Sequence, residues 1–184
     1  MRTAYIAMGA NLPSPIGPPA ATLHAAVARL ATLGRVLHRS SLYSTAPVGL
    51  TDQPRFVNAV LALETSLSPH SLLEALLAIE RDCGRDRSTG VPNGPRTLDL
   101  DILLLGDLRL GESDLELPHP RLADRGFVLI PLHEIAPQAI DSRHHSTIAE
   151  LLDRWRANHP DEIGSVVPLR DVAWDVHLPP APRA

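Results

Sequence analysis

Alternation between apolar and polar positions is clearest from Gly94 to Gly106, a stretch that reads GPRTLDLDILLLG. From Thr97 onward, every second side chain on one side is apolar, and this side consists of Leu98, Leu100, Ile102 and Leu104. The opposite side consists of Asp99, Asp101, Leu103 and Leu105. A period of two residues over a largely apolar segment is typical of a strand with a well-buried face. We therefore predict a central strand here.

Three further segments have the pattern of strands. Thr3–Ala10 is short and apolar and runs into a Gly-Ala-Asn-Leu-Pro turn, which predicts a buried first strand. Val36–Thr45 and Arg55–Thr65 alternate between apolar and polar residues and are separated by one loop. We expect these two strands to pair as antiparallel neighbours.

Apolar residues at helical spacing separate these strands. The segment from Pro18 to Leu33 has this spacing and is followed by Gly34, which ends the helix. A second helix begins with Ser68 as its N-cap and a proline at its first position, and it ends near Gly84. The resulting order β-α-β-β-α-β is that of a ferredoxin-like α+β fold, in which a four-stranded antiparallel sheet has both helices on one face.

The last part of the chain is predicted to add peripheral elements to this core. A short hairpin is expected at Leu108–Leu110, and helices are expected at Gly126–Ile135 and at Ser146–Arg156, the latter capped by its first residue. We predict one domain over residues 1–159 and a C-terminal tail over residues 160–184 that is partly docked or disordered. The residues expected to dock are Val166, Val167 and Trp174.

Composition and charge exclude several classes of protein. The chain has 184 residues, of which 44% are hydrophobic, and this suffices for one domain with a substantial core. Its 17 basic and 21 acidic residues give a net charge of −4, which argues against binding to nucleic acid. All the basic residues are arginines, so a Walker A loop and a catalytic lysine are excluded.

Cysteine content and hydropathy predict a cytoplasmic protein without a membrane partner. The single Cys83 excludes an internal disulfide and a cysteine-based zinc site. The first nine residues do not resemble a signal peptide. No uninterrupted apolar run reaches the roughly 18 residues that a membrane-spanning helix requires.

Asp99 and Asp101 lie two residues apart on the predicted strand, so both carboxylates project from one face, with their Cα atoms roughly 6.5 to 7 Å apart. Burying two like charges is unfavourable without a cation, and carboxylate oxygens suit Mg²⁺, which also binds substrate phosphates. Arg96 adds a permanent positive charge at the same place. The alternative is a solvent-facing Asp-x-Asp sequence on a strand edge with no function.

The loop from Gly84 to Asn93 contains Arg85 and Arg87 and little that could pack. Because it has almost no apolar surface to bury, it has the profile of a lid over a site. We expect this loop to be mobile in the free protein and to become ordered when a ligand binds. A plain surface loop with two solvated arginines is the alternative.

Two long motifs resemble those of a known family. GPRTLDLDILLLGD and the later LPHPRLADRGFVLIPLHEIAP, from Leu117 to Pro137, are similar to sequences of the 6-hydroxymethyl-7,8-dihydropterin pyrophosphokinase family of folate biosynthesis. The similarity extends from Tyr5 to about Trp155, which is most of the chain. Both motifs are long and specific.

The resemblance implies a set of site residues, position by position. The catalytic residues that it implies are Arg85, Arg96, Asp99 and Asp101. The ATP-binding residues that it implies are Glu80, Arg87, Arg96, Ile102, Leu115 and His119. The pterin-binding residues that it implies are Thr45, Ala46, Val48, Phe56, Asn58, Arg125 and Phe127. Asp99 and Asp101 are also the implied ligands of two Mg²⁺ ions that accompany ATP.

The residues of the implied pterin pocket suit its chemistry. The chain has only two Phe, two Trp and two Tyr, so two phenylalanines at this pocket are consistent with a stacking clamp around a flat ring. Asn58 offers both a donor and an acceptor, and it lies two residues after Phe56 on the same predicted strand face. Ordinary core packing of Phe56 and Phe127 is the alternative.

Three positions depart from the family pattern. Asn93 occupies a position where some members have Trp, Asp114 one where some have Arg, and Pro120 one where some have an aromatic residue. These departures affect the expected lid and nucleotide contacts.

The reaction that the resemblance implies is transfer of the terminal diphosphate of ATP to 6-hydroxymethyl-7,8-dihydropterin, with release of AMP, by a monomer. With ATP near −4, two carboxylates and two Mg²⁺, a charge of about −2 remains, which two arginines can neutralise. Two other classes stay open: a metal-dependent phosphohydrolase without a pterin pocket, and a non-catalytic pterin- or nucleotide-binding module.

Overall fold

The computed structural model describes residues 1–86, 93–170 and 174, which form an antiparallel sheet with helices on both faces. The strands are β1 (Arg2–Ala10), β2 (Arg35–Arg39), β3 (Tyr43–Thr45), β4 (Phe56–Thr65), β5 (Asp99–Leu105), β6 (Leu110–Gly111), β7 (Glu116–Leu117), β8 (Ile140–Asp141), β9 (Ser146–Thr147) and β10 (Val166–Pro168). The helices are α1 (Pro19–Leu30), α2 (Pro69–Asp82), α3 (Gly126–Ile135) and α4 (Ile148–Asn158), followed by a 3₁₀ turn at Pro160–Ser165.

The main sheet has the strand order β10-β3-β4-β1-β5, and β2 also pairs with β4. One face packs against α1 and α2 through a core that includes Ile6 and Leu61. The other face packs against α3 and α4 through Val60, Leu103 and Trp155. The prediction of a mixed fold with an antiparallel sheet is confirmed.

The predicted number of four strands is wrong for this sheet, which has six in the described part of the chain. The segment predicted as one strand, Val36–Thr45, forms β2 and β3 instead. Ser40 lies between them, and its hydroxyl accepts a hydrogen bond from Val60 N at 2.9 Å, so a side chain replaces the regular backbone acceptor. Both strands pair antiparallel with β4, as predicted. The sixth strand, β10, pairs with β3.

The prediction that β5 is a central strand is also wrong, because β1 is its only partner in the described sheet. Its outer edge is covered by the chain after β7, where His119 N donates to Leu103 O at 2.9 Å. A β-bulge also breaks the predicted alternation: Leu103 and Leu104 both face α3 and α4, and Leu105 returns to the opposite core. This edge strand is apolar because helices and the β7 segment cover it.

The helices lie near their predicted positions, but α1 ends at Leu30, earlier than the predicted end at Gly34. Ser68 caps α2 and accepts a hydrogen bond from Ser71 N at 3.1 Å, and α3 has the predicted bounds. The predicted cap of α4 is corrected from Ser146 to Thr147, whose capping box with Glu150 leaves Ser146 in β9. The hairpin lies slightly beyond its predicted position and pairs β6 with β7. Within the described residues, no helix is long and apolar enough to cross a membrane.

The end of the described chain packs on the main sheet. β10 extends the sheet beside β3, with Val166 opposite Thr45. The Trp174 side chain is buried and donates from Nε1 to Ser40 O at 2.7 Å, and the Arg39 guanidinium lies 5.0 Å from its ring centroid. The segments around Trp174, at 171–173 and 175–184, lie outside the described residues.

Candidate functional site

A pocket of about 740 Å³ opens where β1 ends and β4 and β5 begin, with α3 and the loop after β3 as its walls. The antiparallel register places Gly9 between Asn58 on one neighbouring strand and Asp99 on the other. Adjacent strands lie about 4.8 Å apart, so the backbones of Asn58 and Asp99 are about 10 Å apart. The predicted site residues that line this pocket are Thr45, Ala46, Val48, Phe56, Asn58, Arg96, Asp99, Asp101, Arg125 and Phe127.

Asp99 lies between two guanidinium groups. Arg96 Nη1 donates to Asp99 Oδ2 at 2.7 Å, and Arg85 Nη1 donates to Asp99 Oδ1. Arg85 is held from behind by Glu80, whose Oε1 atom is 3.0 Å from Arg85 Nη1 and accepts from Leu100 N at 2.8 Å. Glu80 is 1% exposed, so its position at the end of α2 fixes Arg85 against the start of β5.

The negative charge of Asp101 is less well neutralised by arginines than that of Asp99. Arg125 Nη1 lies 3.6 Å from Asp101 Oδ2, beyond the distance of a normal hydrogen bond. Burial and the nearby charge of Asp99 raise the pKa of Asp101 to about 6. The carboxylate therefore has room for a further positive partner.

The two carboxylates have the chemistry of a magnesium site. They lie on one strand face beside an open pocket, and the raised pKa of Asp101 indicates incompletely neutralised negative charge. Mg²⁺ needs one or two such carboxylates when phosphates and water complete its coordination. Asp99 and Asp101 therefore fit this ion, although Arg85 and Arg96 must share Asp99 with it.

The opposite side of the pocket combines aromatic faces with polar groups. The Arg96 guanidinium lies 5.4 Å from the ring centroid of Phe56, and the Arg125 guanidinium lies 5.7 Å from that of Phe127. Asn58 Nδ2 donates to Thr45 Oγ1 at 2.7 Å, which fixes the amide in the pocket floor. This side can hold a flat ring that has hydrogen-bonding edges.

Positive charge near α3 is only partly neutralised by Asp101. Burial and the neighbouring Arg121 lower the pKa of Arg125. The Arg125 Nε atom is buried and has no hydrogen-bond partner among the described residues. Both arginines line the pocket, so this wall suits an anionic or carbonyl-bearing ligand.

His119 lies beside this positive wall. Its Nδ1 atom accepts a hydrogen bond from Arg121 N at 3.1 Å, which requires that nitrogen to be unprotonated. Burial, Arg125 and Arg121 lower the pKa of His119 to about 4. The imidazole is therefore neutral at physiological pH.

We expect His119 to titrate with a midpoint near pH 4, far below the value of about 6.5 for an unperturbed histidine. Because the pKa is depressed in the folded state, the neutral His119 imidazole contributes to the free energy of unfolding. This contribution is complete above about pH 6.5 and is lost as the pH falls towards 4. NMR of the imidazole Cε1–H signal, assigned with His119→Gln, measures this midpoint. A midpoint near 6.5 contradicts the described environment.

Several predicted site residues do not reach the pocket. Ile102 and Leu115 are buried in the core beside α1 and α2, and Glu80 has the supporting position described above. Arg87 and most of the predicted lid, residues 87–92, lie outside the described residues. Asp114 lies near the start of α2, with its Oδ1 atom 3.8 Å from His70 Nε2. The nucleotide contacts of these residues stay predictions.

Comparison with known proteins identifies the family. A family model described as 7,8-dihydro-6-hydroxymethylpterin-pyrophosphokinase (HPPK) matches residues 5–137. The chain belongs to this family. The resemblance predicted from the two sequence motifs is therefore confirmed.

Curated HPPK relatives are similar over most of the chain. The 2-amino-4-hydroxy-6-hydroxymethyldihydropteridine pyrophosphokinase of Pseudomonas aeruginosa is 47% identical over 142 residues, which cover 76% of this chain and 85% of the relative. The protein of the same name from Synechocystis is 42% identical over 153 residues, covering 82% and 75%. The mitochondrial folate synthesis bifunctional protein of Arabidopsis thaliana is 42% identical over 153 residues, covering 76% of this chain but 27% of that longer protein.

Solved structures show the same HPPK-type fold. The Plasmodium falciparum HPPK-DHPS triple mutant with STZ-DHP superposes with a TM-score of 0.71 at 15% sequence identity. The superposition covers 90% of this chain and 46% of that chain. At this level of identity, the likeness supports the fold alone.

Three residues near the HPPK site escaped the sequence prediction. Arg121 lines the pocket, and Gly9 lies so close to Asn58 that an added Cβ atom would be 2.5 Å from the Asn58 Oδ1 atom. Asn11 is buried and accepts a hydrogen bond from Arg96 N at 2.8 Å. The Gly-Ala-Asn-Leu-Pro sequence at the end of β1 suggested only a turn, although a polar Asn directly after a buried strand was a usable signal.

Proposed function

We propose that this protein is an ATP-dependent diphosphokinase that transfers diphosphate from ATP to 6-hydroxymethyl-7,8-dihydropterin, a step of folate biosynthesis. The observation that supports it most is a single pocket with Asp99, Asp101 and arginines on one side and Phe56 and Asn58 on the other. The names of the bacterial relatives describe the same activity.

The pocket can hold the two substrates side by side. In this proposal, the pterin ring stacks on Phe56 and Phe127, its amide-like edge faces Asn58 and its hydroxymethyl group faces β5. Phe56, Phe127 and Asn58 all line the pocket. The ATP phosphates lie against the arginines at the start of β5. This arrangement brings the hydroxyl oxygen to the β-phosphorus of ATP, which removes most of the entropic cost of the encounter.

The transfer needs no covalent enzyme intermediate. The pterin hydroxyl oxygen bonds to the β-phosphorus in line, and the bond from that phosphorus to the oxygen bridging it to the α-phosphorus breaks. AMP leaves with the bond electrons, and the hydroxyl proton is released to a carboxylate or to water. Arg85 and Arg96 stabilise the charge that develops on the phosphoryl oxygens. Asp99 is well placed to accept the proton if its arginine partners move to the phosphates.

Asp99 and Asp101 would hold Mg²⁺, two ions in the full complex, and the metal would supply neutralisation of the phosphate charge. Glu80 keeps Arg85 in position when the Asp99 pairing changes, because Glu80 remains a buried anion beside it. We further propose direct ATP contacts for Glu80, Arg87, Ile102, Leu115 and His119, as the resemblance implies.

The proposal extends to the fold, the domain bounds and the cellular location of the enzyme. We propose that β1, β4, β5 and the β2/β3 pair form a ferredoxin-like βαββαβ core within a domain over residues 1–159, with residues 160–184 as a tail. Localisation in the cytoplasm and a monomeric state stay predictions.

A product assay tests the function. The protein is incubated with ATP, Mg²⁺ and the reduced pterin alcohol, and both products are identified. We expect AMP and the pterin diphosphate in equal amounts. Inorganic phosphate or pyrophosphate without a modified pterin would indicate a phosphohydrolase, and binding of both ligands without products would indicate a non-catalytic module.

Replacing Phe56 by Ala is expected to weaken pterin binding by about 10- to 100-fold, because the stacking face and its buried area are lost. Nucleotide affinity should change by less than about threefold, within the range of a lost rim contact. Isothermal titration with each ligand alone measures both values. Tyr5→Ala, which removes another partly buried aromatic residue on the α3/α4 face, is the matched control. Equal losses for both ligands would instead assign Phe56 to the core.

A further inference from the structure

Two side chains behind the pocket, Asn11 and Gln53, connect its two sides. Asn11 is 3% exposed, and both protons of its amide nitrogen are used: Nδ2 lies 3.0 Å from Gln53 Oε1 and 3.0 Å from Pro54 O. Its Oδ1 atom accepts from Arg96 N at 2.8 Å. Asn11 therefore makes contact with the segment before β4 and with the segment before β5. We call this connection the Asn11–Gln53 bridge.

The bridge fixes the main chain that carries Arg96. Besides the bond from Arg96 N, the carbonyl oxygen of Arg96 accepts from Asn11 N at 3.0 Å and from Leu12 N at 3.1 Å. Three hydrogen bonds thus hold one residue whose guanidinium extends into the pocket towards Asp99. The reach of that guanidinium is set by the position of Asn11.

Gln53 extends the connection across the mouth of the pocket. Its Nε2 atom donates to Leu50 O at 2.7 Å and to Asn93 O at 2.9 Å. Leu50 belongs to the loop between Thr45 and Phe56, which carries the pterin-side groups, and Asn93 precedes Arg96 on the other side. The two segments are therefore joined at two places, once through each member of the bridge.

We propose that Asn11 and Gln53 are positioning residues that couple occupation of the nucleotide side of the pocket to the shape of its pterin side. This inference rests on the proposed function. Anions that draw Arg96 away from Asp99 act on a main chain tied to Asn11, and through Asn11 on Gln53 and Pro54. Pro54 lies two residues before Phe56, whose ring the Arg96 guanidinium already covers. Breaking the bridge would leave the buried amide of Asn11 without its partners, so both segments move together.

A purely structural role for the bridge makes a different prediction. In that case, Gln53→Ala and Asn11→Ala lower stability and both affinities in parallel, as the loss of any hydrogen bond that supports the fold does. In a coupling role, the effect appears in the dependence of one ligand's affinity on the other, which a general loss of stability does not change.

The test is a binding cycle on the intact chain. The dissociation constant of the reduced pterin alcohol is measured alone and with Mg²⁺ and α,β-methylene-ATP, for the original sequence, Gln53→Ala, Asn11→Ala and Gln53→Glu. We expect the nucleotide to tighten pterin binding by about 10- to 100-fold, a typical coupling between sites. In Gln53→Ala, this factor should fall to less than about threefold, with nucleotide affinity alone little changed. Gln53→Glu keeps the Oε1 acceptor for Asn11 but places a carboxylate oxygen against Leu50 O and Asn93 O, so it should lower the factor as Gln53→Ala does.

Thr147→Ala is the stability control, because it removes the capping hydrogen bond of α4, far along the chain from the bridge. It should lower the melting temperature and leave the coupling factor unchanged. A coupling factor that is unchanged in Gln53→Ala, or absent in the original sequence, overturns the inference even if the enzyme turns over. Absence of AMP and pterin diphosphate with the original sequence instead overturns the proposed function, which the product assay reports separately. If Asn11→Ala does not fold, Gln53→Ala alone decides.

Discussion

Replacing Asp101 by Asn is expected to lower the turnover number by at least about a thousandfold, equivalent to about 4 kcal/mol of transition-state stabilisation. The substitution keeps the shape of the side chain and removes the charge that would hold Mg²⁺. Asp99→Asn should have an equally large effect. The assay measures AMP formation at saturating ATP and pterin. Asp153→Asn, a change at an exposed carboxylate on α4, is the matched control and should keep nearly full activity. Near-normal turnover in either site variant would contradict the assignment of Asp99 and Asp101 as Mg²⁺ ligands.

The two carboxylates should differ in their effect on stability. The pKa of Asp101 is raised to about 6 in the folded state, above its unfolded value of about 3.9, so the carboxyl favours the fold when protonated. That contribution is complete below about pH 3.9 and is lost as the pH rises through about 6. In EDTA at pH 7, Asp101→Asn should therefore raise the melting temperature. Asp99→Asn should lower it, because Arg85 and Arg96 lose their charged partner.

Replacing Arg96 by Ala is expected to reduce the turnover number by about 100- to 1,000-fold, with a smaller change in ATP affinity. The guanidinium can stabilise the charge that develops on the phosphoryl oxygens, and such an interaction is stronger in the transition state than in the ground state. Arg96→Lys should restore little, because one ammonium group cannot contact Asp99 and a phosphate in the same fork geometry. Steady-state kinetics with separate variation of ATP and pterin measure the effect.

The kinetic effect of replacing Arg96 is easier to interpret than that of replacing Arg85. Loss of Arg85 leaves Glu80 as a buried anion without its partner at 3.0 Å, so Arg85→Ala should also reduce stability. The double variant Glu80→Gln/Arg85→Ala separates that cost from the catalytic loss. Arg109→Ala, at an exposed position before β6, controls for a general change in charge. Equal losses in ATP affinity and in kcat/KM with an unchanged turnover number would make these arginines simple binding groups.

Local sequence patterns predicted the helices and strands well where polar residues mark which positions face the solvent. Ser68 and the following proline placed the start of α2, and the strands paired with the expected neighbours. The Leu103–Leu105 run has no polar residue to mark its phase, so the bulge in β5 could not be read from it. The edge position of β5 depends on coverage by residues after β7, which is a long-range contact that no local pattern reports.

The residues of the candidate site likewise include some that local geometry predicts and others that it does not. The Asp99–Asp101 pair follows from strand geometry, because residues two apart share a face. The pterin-side residues came from the resemblance, since Phe56 and Asn58 have no pattern of their own that distinguishes a pocket from a core. The resemblance implies that Glu80 contacts the nucleotide, which stays a prediction, and the structure adds that Glu80 is buried against Arg85. Its burial depends on how α2 packs on β5, which the helical pattern alone does not determine.

The tight contact between Gly9 and Asn58 restricts how a site of this kind could change under selection by an inhibitor. Any side chain at Gly9 would displace the Asn58 amide and its bond to Thr45, so we expect substitutions at either floor position to weaken pterin binding. Val48, in contrast, is 51% exposed at the rim and has room for larger or smaller side chains. Few single substitutions would therefore give resistance to a compound that binds mainly to the pocket floor. We expect a compound that depends on contacts with Val48 to lose affinity more easily, because a substitution at this exposed position removes those contacts.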